Sequence, residues 1–213
     1  MISNQRYSSS FGFLKRRVAI LSAEIGRLLP EGARVLDVGC GSGDIAAAVQ
    51  VLRPDVTIDG VDVLVRPGTA ISVREYDGVT LPEPDASYDV VMMIDVLHHT
   101  DDPTLILREA ARVGKPGVLV KDHFRDGLFA EETLRLMDWA GNAAHGVRLP
   151  YNYLCRKEWC RAWKTLQLHP KDICRKIDLY PFPLNLLFGR ELHFIALLER
   201  NSLDDLSVGI TPD

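Results

Sequence analysis

Apolar residues recur along the chain at two spacings. Leu14, Val18, Leu21, Ile25 and Leu28 share one face at helical period, which predicts an amphipathic helix from Phe11 that Pro30 and Gly32 close. Lys15, Arg16 and Arg17 beside it read as a solvated basic face, and Met1 to Ser10 carry no periodicity and are expected to be irregular. Denser runs follow. Val35 to Val38, Val56 to Val63, Ile71 to Tyr76, Val90 to Ile94 and GVLVKDHF from Gly117 predict five strands, the fourth buried on both faces. Helical spacing returns at Ile45, Ala48, Val49 and Leu52 until Pro54, and again through LILREAARV behind the Asp102-Pro103 start. Leu64 to Ala70, with Pro67 and Gly68, leaves room for little helix. Further on, Leu128 to Ala140 and the segment of Trp159, Trp163 and Leu166 predict two more helices, the tryptophans as a core stripe. Ile173 to Tyr180 and Glu191 to Glu199 predict two closing strands joined by PFPLNLLFGR, before an acidic tail over Asn201 to Asp213. This order describes one α/β domain with a doubly wound, mostly parallel seven-stranded sheet and helices on both faces.

Chemistry concentrates where the first strand stops. RVLDVGCGSGD runs from Arg34 to Asp44, with Gly39, Gly41 and Gly43 on alternate positions between a strand and a helix N-terminus. Glycine takes positive φ at little cost and keeps no side chain between backbone and ligand, while the first helical N–H groups lack partners. A dinucleotide fingerprint begun at Gly39 would need a small residue where Asp44 stands, and an anionic side chain at that mouth repels a pyrophosphate. Asp37 instead offers a carboxylate to an amino-acid ammonium. Asp62 closes the second strand about 20 residues past the glycines, where a carboxylate can accept both hydroxyls of a ribose.

The D-x-G-x-G-x-G pattern of Asp37, Gly39, Gly41 and Gly43 resembles motif I of the class I S-adenosylmethionine-dependent methyltransferases. LPEPDASYD after Asp77 and Gly78, and REAARVGKPG before the fifth strand, resemble stretches of the small-molecule, methyltransferase type 11-like branch, with Glu83 in place of an aromatic residue and one glycine missing. The resemblance covers Arg34 to Asp122. It implies a Rossmann-like sheet and S-adenosylmethionine as cofactor, with S-adenosylhomocysteine as product. It also implies that Asp62 and Val63 lie at the ribose, that Asp77 and Gly78 lie at the adenine, and that Asp95 and Val96 lie near the methionine moiety. The helix within residues 1–30 becomes a lid over the cofactor pocket, 31–200 the catalytic domain, and about 122–170 a substrate-selecting insertion holding His145, Tyr151, Asn152 and Tyr153. IDVLHH is not the D-P-P-Y motif of nucleic-acid amino-methyltransferases, which disfavours base amino-methylation. The expected reaction is methyl transfer to a small acceptor, whether oxygen, nitrogen or carbon. If that acceptor needs a general base, His123 at the end of the fifth strand is the first candidate, and His98 and His99 follow. A non-catalytic S-adenosylmethionine-binding module and an NAD(P)-dependent oxidoreductase are the alternative readings.

Composition narrows this only modestly. A length of 213 residues and a formal net charge of -4 suit a single domain with no overall pull towards nucleic acid. The apolar runs are too short for a membrane helix and the start of the chain lacks a secretory h-region, so a cytoplasmic protein, monomeric or homodimeric, is expected. Cys40, Cys155, Cys160 and Cys174 fit reduced thiols. Cys155, Cys160, His169 and Cys174 invite a zinc reading, but the first pair is spaced too widely for a knuckle and Cys160 falls inside a predicted helix, so no metal is expected there.

Overall fold

The computed structural model describes residues 4–142 and 150–200, so His145 and the tail expected over 201–213 lie outside it. Its elements in chain order are α1 (Asn4–Leu28), β1 (Arg34–Val38), α2 (Asp44–Leu52), β2 (Thr57–Asp62), β3 (Val73–Glu75) and β4 (Tyr88–Ile94). After a 3-10 turn at Leu97–His99 come α3 (Pro103–Val113), β5 (Gly114–His123), α4 (Ala130–Asn142), α5 (Arg156–Thr165), β6 (Leu168–Cys174), α6 (Asn185–Phe188) and β7 (His193–Arg200). The seven strands form one sheet in the order β3-β2-β1-β4-β5-β7-β6. All neighbours run parallel except β7, which is antiparallel to both β5 and β6.

Two apolar layers sandwich this sheet, as the near-continuous hydrophobic runs of its strands require. On one face Leu21, Ile25 and Leu28 of α1 and Ala46 and Val49 of α2 pack on Val35, Val90, Met92, Leu119 and Ile195. On the other, Ile106, Leu107 and Ala110 of α3 with Trp159 and Trp163 of α5 cover Leu36, Val38, Val91, Met93, Val118 and Phe194. The tryptophans are therefore core, and their rings meet Phe194 edge-on at 5.2 and 5.9 Å. Asp102 caps α3 by accepting the Thr104 N–H at 2.8 Å, with Pro103 at the first helical position.

Four expectations need correction. Helix α1 begins at Asn4, seven residues before the periodic stretch. The third strand shrinks to Val73–Glu75, because β2 and β3 are joined by turns and bends with no helix between them, as the Pro67-Gly68 segment implies. The penultimate strand lies at Leu168–Cys174, earlier than Ile173–Tyr180. Pro170 discourages a strand reading there, but β6 is an edge strand with a register shift between Pro170 and Asp172, where a missing N–H is tolerated. Ile177 and Leu179, which look like strand residues, are instead buried in the α1-side core. Finally, the basic triplet of α1 is not simply solvated. Arg17 pairs with Asp95 at 2.6 Å and Arg16 with Asp178 at 2.7 Å.

Candidate active site

Every expected site residue comes from the carboxyl ends of β1, β2, β3, β4 and β5 or from the loops that follow them, the edge at which open α/β sheets hold ligands. At the β1 end, Gly39, Gly41 and Gly43 all have positive φ, of 70, 58 and 77°. A Cβ on Gly39 would lie 2.6 Å from Val96 Cγ2, and one on Gly43 would lie 2.6 Å from Ile71 Cγ1, so both are fixed by close packing. Gly41 differs. A Cβ there would meet nothing nearer than the Arg66 guanidinium carbon at 4.0 Å, so its bare backbone faces open space. Asp62 braces this turn from β2, accepting the Gly41 N–H at 2.8 Å on one oxygen and the Leu64 N–H at 3.0 Å on the other.

Asp37 sits beneath the turn, only 3% exposed, and among the described residues no hydrogen-bond donor reaches its carboxylate. Burial, and secondarily the neighbouring Asp62, raise its pKa well above the ordinary carboxylate value. A buried acid without a donor is costly unless a cation completes it. Asp59, farther back in β2, faces elsewhere and accepts from the Tyr88 hydroxyl at 3.0 Å.

At the β3 end, Asp77 Oδ1 accepts the N–H groups of Val79 and Thr80 at 2.8 and 2.7 Å, a turn-initiating role that lowers its pKa. Gly78 follows with φ 80° and lies against Val63. Val63, Leu64 and Val79 are 56, 62 and 57% exposed, an apolar strip beside Asp62 and Asp77 that suits a planar heterocycle. The substitution at Glu83 is absorbed by an ion pair with Arg74.

The β4 and β5 ends carry a buried charge cluster. Asp95 adopts φ 57° and pairs with Lys121, Arg17 and, at 3.7 Å, His123 Nε2. Burial favours its protonated form, but Lys121, His123 and Arg17 outweigh burial and hold it well below the usual carboxylate range. Lys121 is 1% exposed and approaches His193 Nδ1 at 3.4 Å; His193 Nε2 lies 3.1 Å from the Phe188 carbonyl and donates to it. His98 lies between two acids, with Nδ1 2.7 Å from Asp122 Oδ1 and Nε2 3.8 Å from Asp138 Oδ1. Burial alone would keep that ring neutral; the flanking carboxylates win and raise its pKa to about 10. His98 is thus an imidazolium at neutral pH and has no lone pair to serve as a base. His123 is its opposite. Burial, then the Lys121 ammonium, push it down to about 4, so it is neutral, with Nδ1 3.2 Å from Asp122. His99 is also shifted downward by burial and by His98.

Sequence reasoning passed over Lys121, Arg17, Asp138 and His193 as participants. The signal for Lys121 was present, since a lysine inside the doubly buried run VLVKDHF requires an anion within reach. Asp138 and Tyr153 were visible only as polar residues in the variable region. Their meeting, with the Tyr153 hydroxyl 3.1 Å from Asp138 Oδ2, depends on how α4 folds back onto the edge.

A doubly wound sheet with an open glycine turn, an acid beneath it and an acid at the end of the next strand defines the class I S-adenosylmethionine-dependent methyltransferases. A family model described as a methyltransferase domain matches residues 11–169, and the chain belongs to that family. Over 119 residues it is 33% identical to the 27-O-demethylrifamycin SV methyltransferase of Amycolatopsis mediterranei (49% of this chain, 43% of that protein). Over 101 residues it is 39% identical to the ubiquinone biosynthesis O-methyltransferase of Xanthomonas axonopodis pv. citri (43% and 42%). The match thus spans less than half the length of these curated relatives. Two solved structures share the fold. A methyltransferase of Thermotoga maritima superposes with a TM-score of 0.63 at 19% identity, over 92% of this chain and 97% of that one. The Burkholderia thailandensis 1,6-didemethyltoxoflavin-N1-methyltransferase, with its substrate and S-adenosylhomocysteine bound, gives 0.58 at 19%, over 89% and 78%. Among the described residues no helix is long and apolar enough to cross a membrane.

Proposed function

We propose that this chain transfers a methyl group from S-adenosylmethionine to a small-molecule hydroxyl. Asp37 carries the reading: a buried carboxylate without a donor, beneath a glycine turn whose Gly41 faces open space, fits an ammonium-bearing ligand. Asp37 answers the ammonium of the amino-acid end, directly or through water, and the Arg66 guanidinium beside Gly41 suits its carboxylate. Asp62 retains acceptor lone pairs for the ribose hydroxyls, Asp77 and Gly78 stand at the adenine, and Val63 and Val79 supply the apolar walls. Gly39 and Gly43 hold the turn open, and Val96 packs under it with Asp95 at the methionine end.

The sulfonium, when bound, supplies an already activated methyl group, so the chain's task is to align the nucleophile and exclude water. Helix α1 acts as the lid, because Arg17 stretches from it to Asp95 on the ligand edge. His123, neutral and 9% exposed, offers a lone pair to the acceptor's hydroxyl; its low basicity suits proton removal that accompanies methyl transfer rather than precedes it. The region from about 122 to 170, which includes α4, selects the acceptor. Oxygen is the acceptor atom to test first, since the two curated relatives named above are O-methyltransferases by name.

Calorimetry with S-adenosylhomocysteine should give one binding event per chain, and isotope-labelled S-adenosylmethionine should pass its methyl to members of a phenol and polyketide-alcohol panel. Absence of binding by folded protein removes the reading. Binding without transfer to any hydroxyl, amine or activated carbon acceptor reduces it to a cofactor-binding module.

A further inference from the structure

The His/Asp cluster divides into two overlapping groups with different electrostatics. In the first, Asp95, His98, Asp122 and His123 approach within 4.8 Å of one another. This group has two cations that the second lacks, Lys121 and Arg17, both on Asp95. A metal ion there would have to displace a buried ammonium. The second group is His98, His99 and Asp138, which each bring one ligand atom within 4.8 Å of the others. Asp138 Oδ1 stands 3.8 Å from His98 Nε2 and 3.6 Å from His99 Nε2. Both separations are shorter than the roughly 4.2 Å that a cation about 2.1 Å from each donor can span.

The surroundings of this second group are those of ligands held in place. His98 presents Nε2 to the group because its other nitrogen is fixed to Asp122 Oδ1 at 2.7 Å, and Asp122 is 1% exposed. That carboxylate–imidazole pair sets the tautomer and ring plane of a metal-binding histidine. Asp122 Oδ1 also accepts the His123 backbone N–H at 2.8 Å, whereas Asp122 Oδ2 is buried without a partner among the described residues. The Tyr153 hydroxyl lies 3.1 Å from the second oxygen of Asp138 and its ring stacks on His98 at 5.2 Å. His99 lies against His98 with ring centroids 4.2 Å apart, and its Nδ1 is buried with no hydrogen-bond partner among the described residues.

We propose that His98 Nε2, His99 Nε2 and Asp138 Oδ1 bind one zinc-like divalent cation, with Asp122 and Tyr153 as the groups that orient the ligands. Two imidazoles and one carboxylate select zinc, cobalt or another first-row ion over magnesium or calcium. The ion ties α4 to the 3-10 turn at the end of β4, thereby fixing the substrate-selecting region to the sheet edge, and three protein ligands leave a coordination position open. The site stands independently of methyl transfer.

The test uses the full chain, stripped with a chelator and titrated with Co2+, Zn2+ and Mg2+ under visible spectroscopy and calorimetry. One equivalent of Co2+ should give the visible bands of a low-coordinate nitrogen and oxygen complex without thiolate charge-transfer bands, Zn2+ should displace it, and Mg2+ should not. Zinc should also raise the melting temperature. His99→Gln, at a partly exposed ring, and Asp138→Asn should each weaken Co2+ binding at least tenfold, and Tyr153→Phe by about tenfold, as loss of an orienting group typically does. Circular dichroism of His99→Gln and Tyr153→Phe establishes that they fold. Lack of stoichiometric Co2+ binding overturns the site, as does affinity unchanged by His99→Gln, or a spectrum dominated by thiolate bands that Cys155→Ser removes.

Discussion

The two halves of one sheet edge handle buried charge in opposite ways. At β1 and β2, Asp37 is buried without a donor and pushed towards protonation by burial and by Asp62. At β4 and β5, the partly buried Asp95 and the fully buried Asp122 are surrounded by Lys121, Arg17 and His98, and both titrate below the ordinary range although burial opposes it. One half leaves its electrostatics incomplete and the other completes them from its own chain. Beneath the glycine turn a proton or a ligand cation can settle the charge, whereas at the histidine end the chain's own cations already do so.

Lys121→Met attacks the completed half and should have the largest effect. It leaves Asp95 with the partly exposed Arg17 and His123, at a cost of about 3–5 kcal/mol for breaking a buried pair. Urea denaturation measures this; a loss under 1 kcal/mol would mean that water already solvates Asp95. On the incomplete half, Asp62→Ala should weaken S-adenosylhomocysteine binding by about 1–3 kcal/mol by calorimetry, through loss of charge-assisted hydrogen bonds. Unchanged affinity would remove Asp62 from the ribose role.

Asp37→Asn gives a sharper contrast, because its two effects have opposite signs. With a folded pKa above the unfolded one, Asp37 contributes stability that is complete below pH about 4 and is lost as pH rises through the folded value. At neutral pH the ligand-free variant should therefore melt higher, by the equivalent of about 1–3 kcal/mol for an unpaired buried polar group, while binding the cofactor product more weakly. Wild-type protein without ligand should correspondingly gain stability relative to Asp37→Asn as pH falls towards 4. A variant that is less stable at pH 7 would show that Asp37 is already satisfied within the protein. The smallest effect belongs to Arg17→Ala. Its pair with Asp95 is about a quarter exposed at the arginine, and such pairs contribute up to about 1 kcal/mol. If α1 is a lid, cofactor dissociation should accelerate by more than that stability change implies, as stopped-flow release would show.

What could be read beforehand follows the same division. The glycine turn, Asp37 and Asp62 are local in sequence, and their chemistry is written in spacing. The β4–β5 cluster unites Arg17, Asp95, His98, Lys121, Asp122, Asp138 and His193, brought together by sheet order and by the return of α4. The three histidines were visible, but not their protonation: His98 and His123 share Asp122, yet are pushed to about 10 and about 4 by what lies on their other sides. Strand β6 was misplaced for a related reason. Whether Pro170 is tolerable depends on its lying at the sheet's rim, which pairing order decides.

Strand β7 sits between β5 and β6 although it is the last described strand in the chain. On the ribosome, the sheet therefore stays split until residue 200 clears the exit tunnel, and β5 meanwhile presents an unpaired apolar flank. Vectorial synthesis can prepare the β1–β2 half early, but the histidine half, whose His193 belongs to that final strand, has to await the closing insertion.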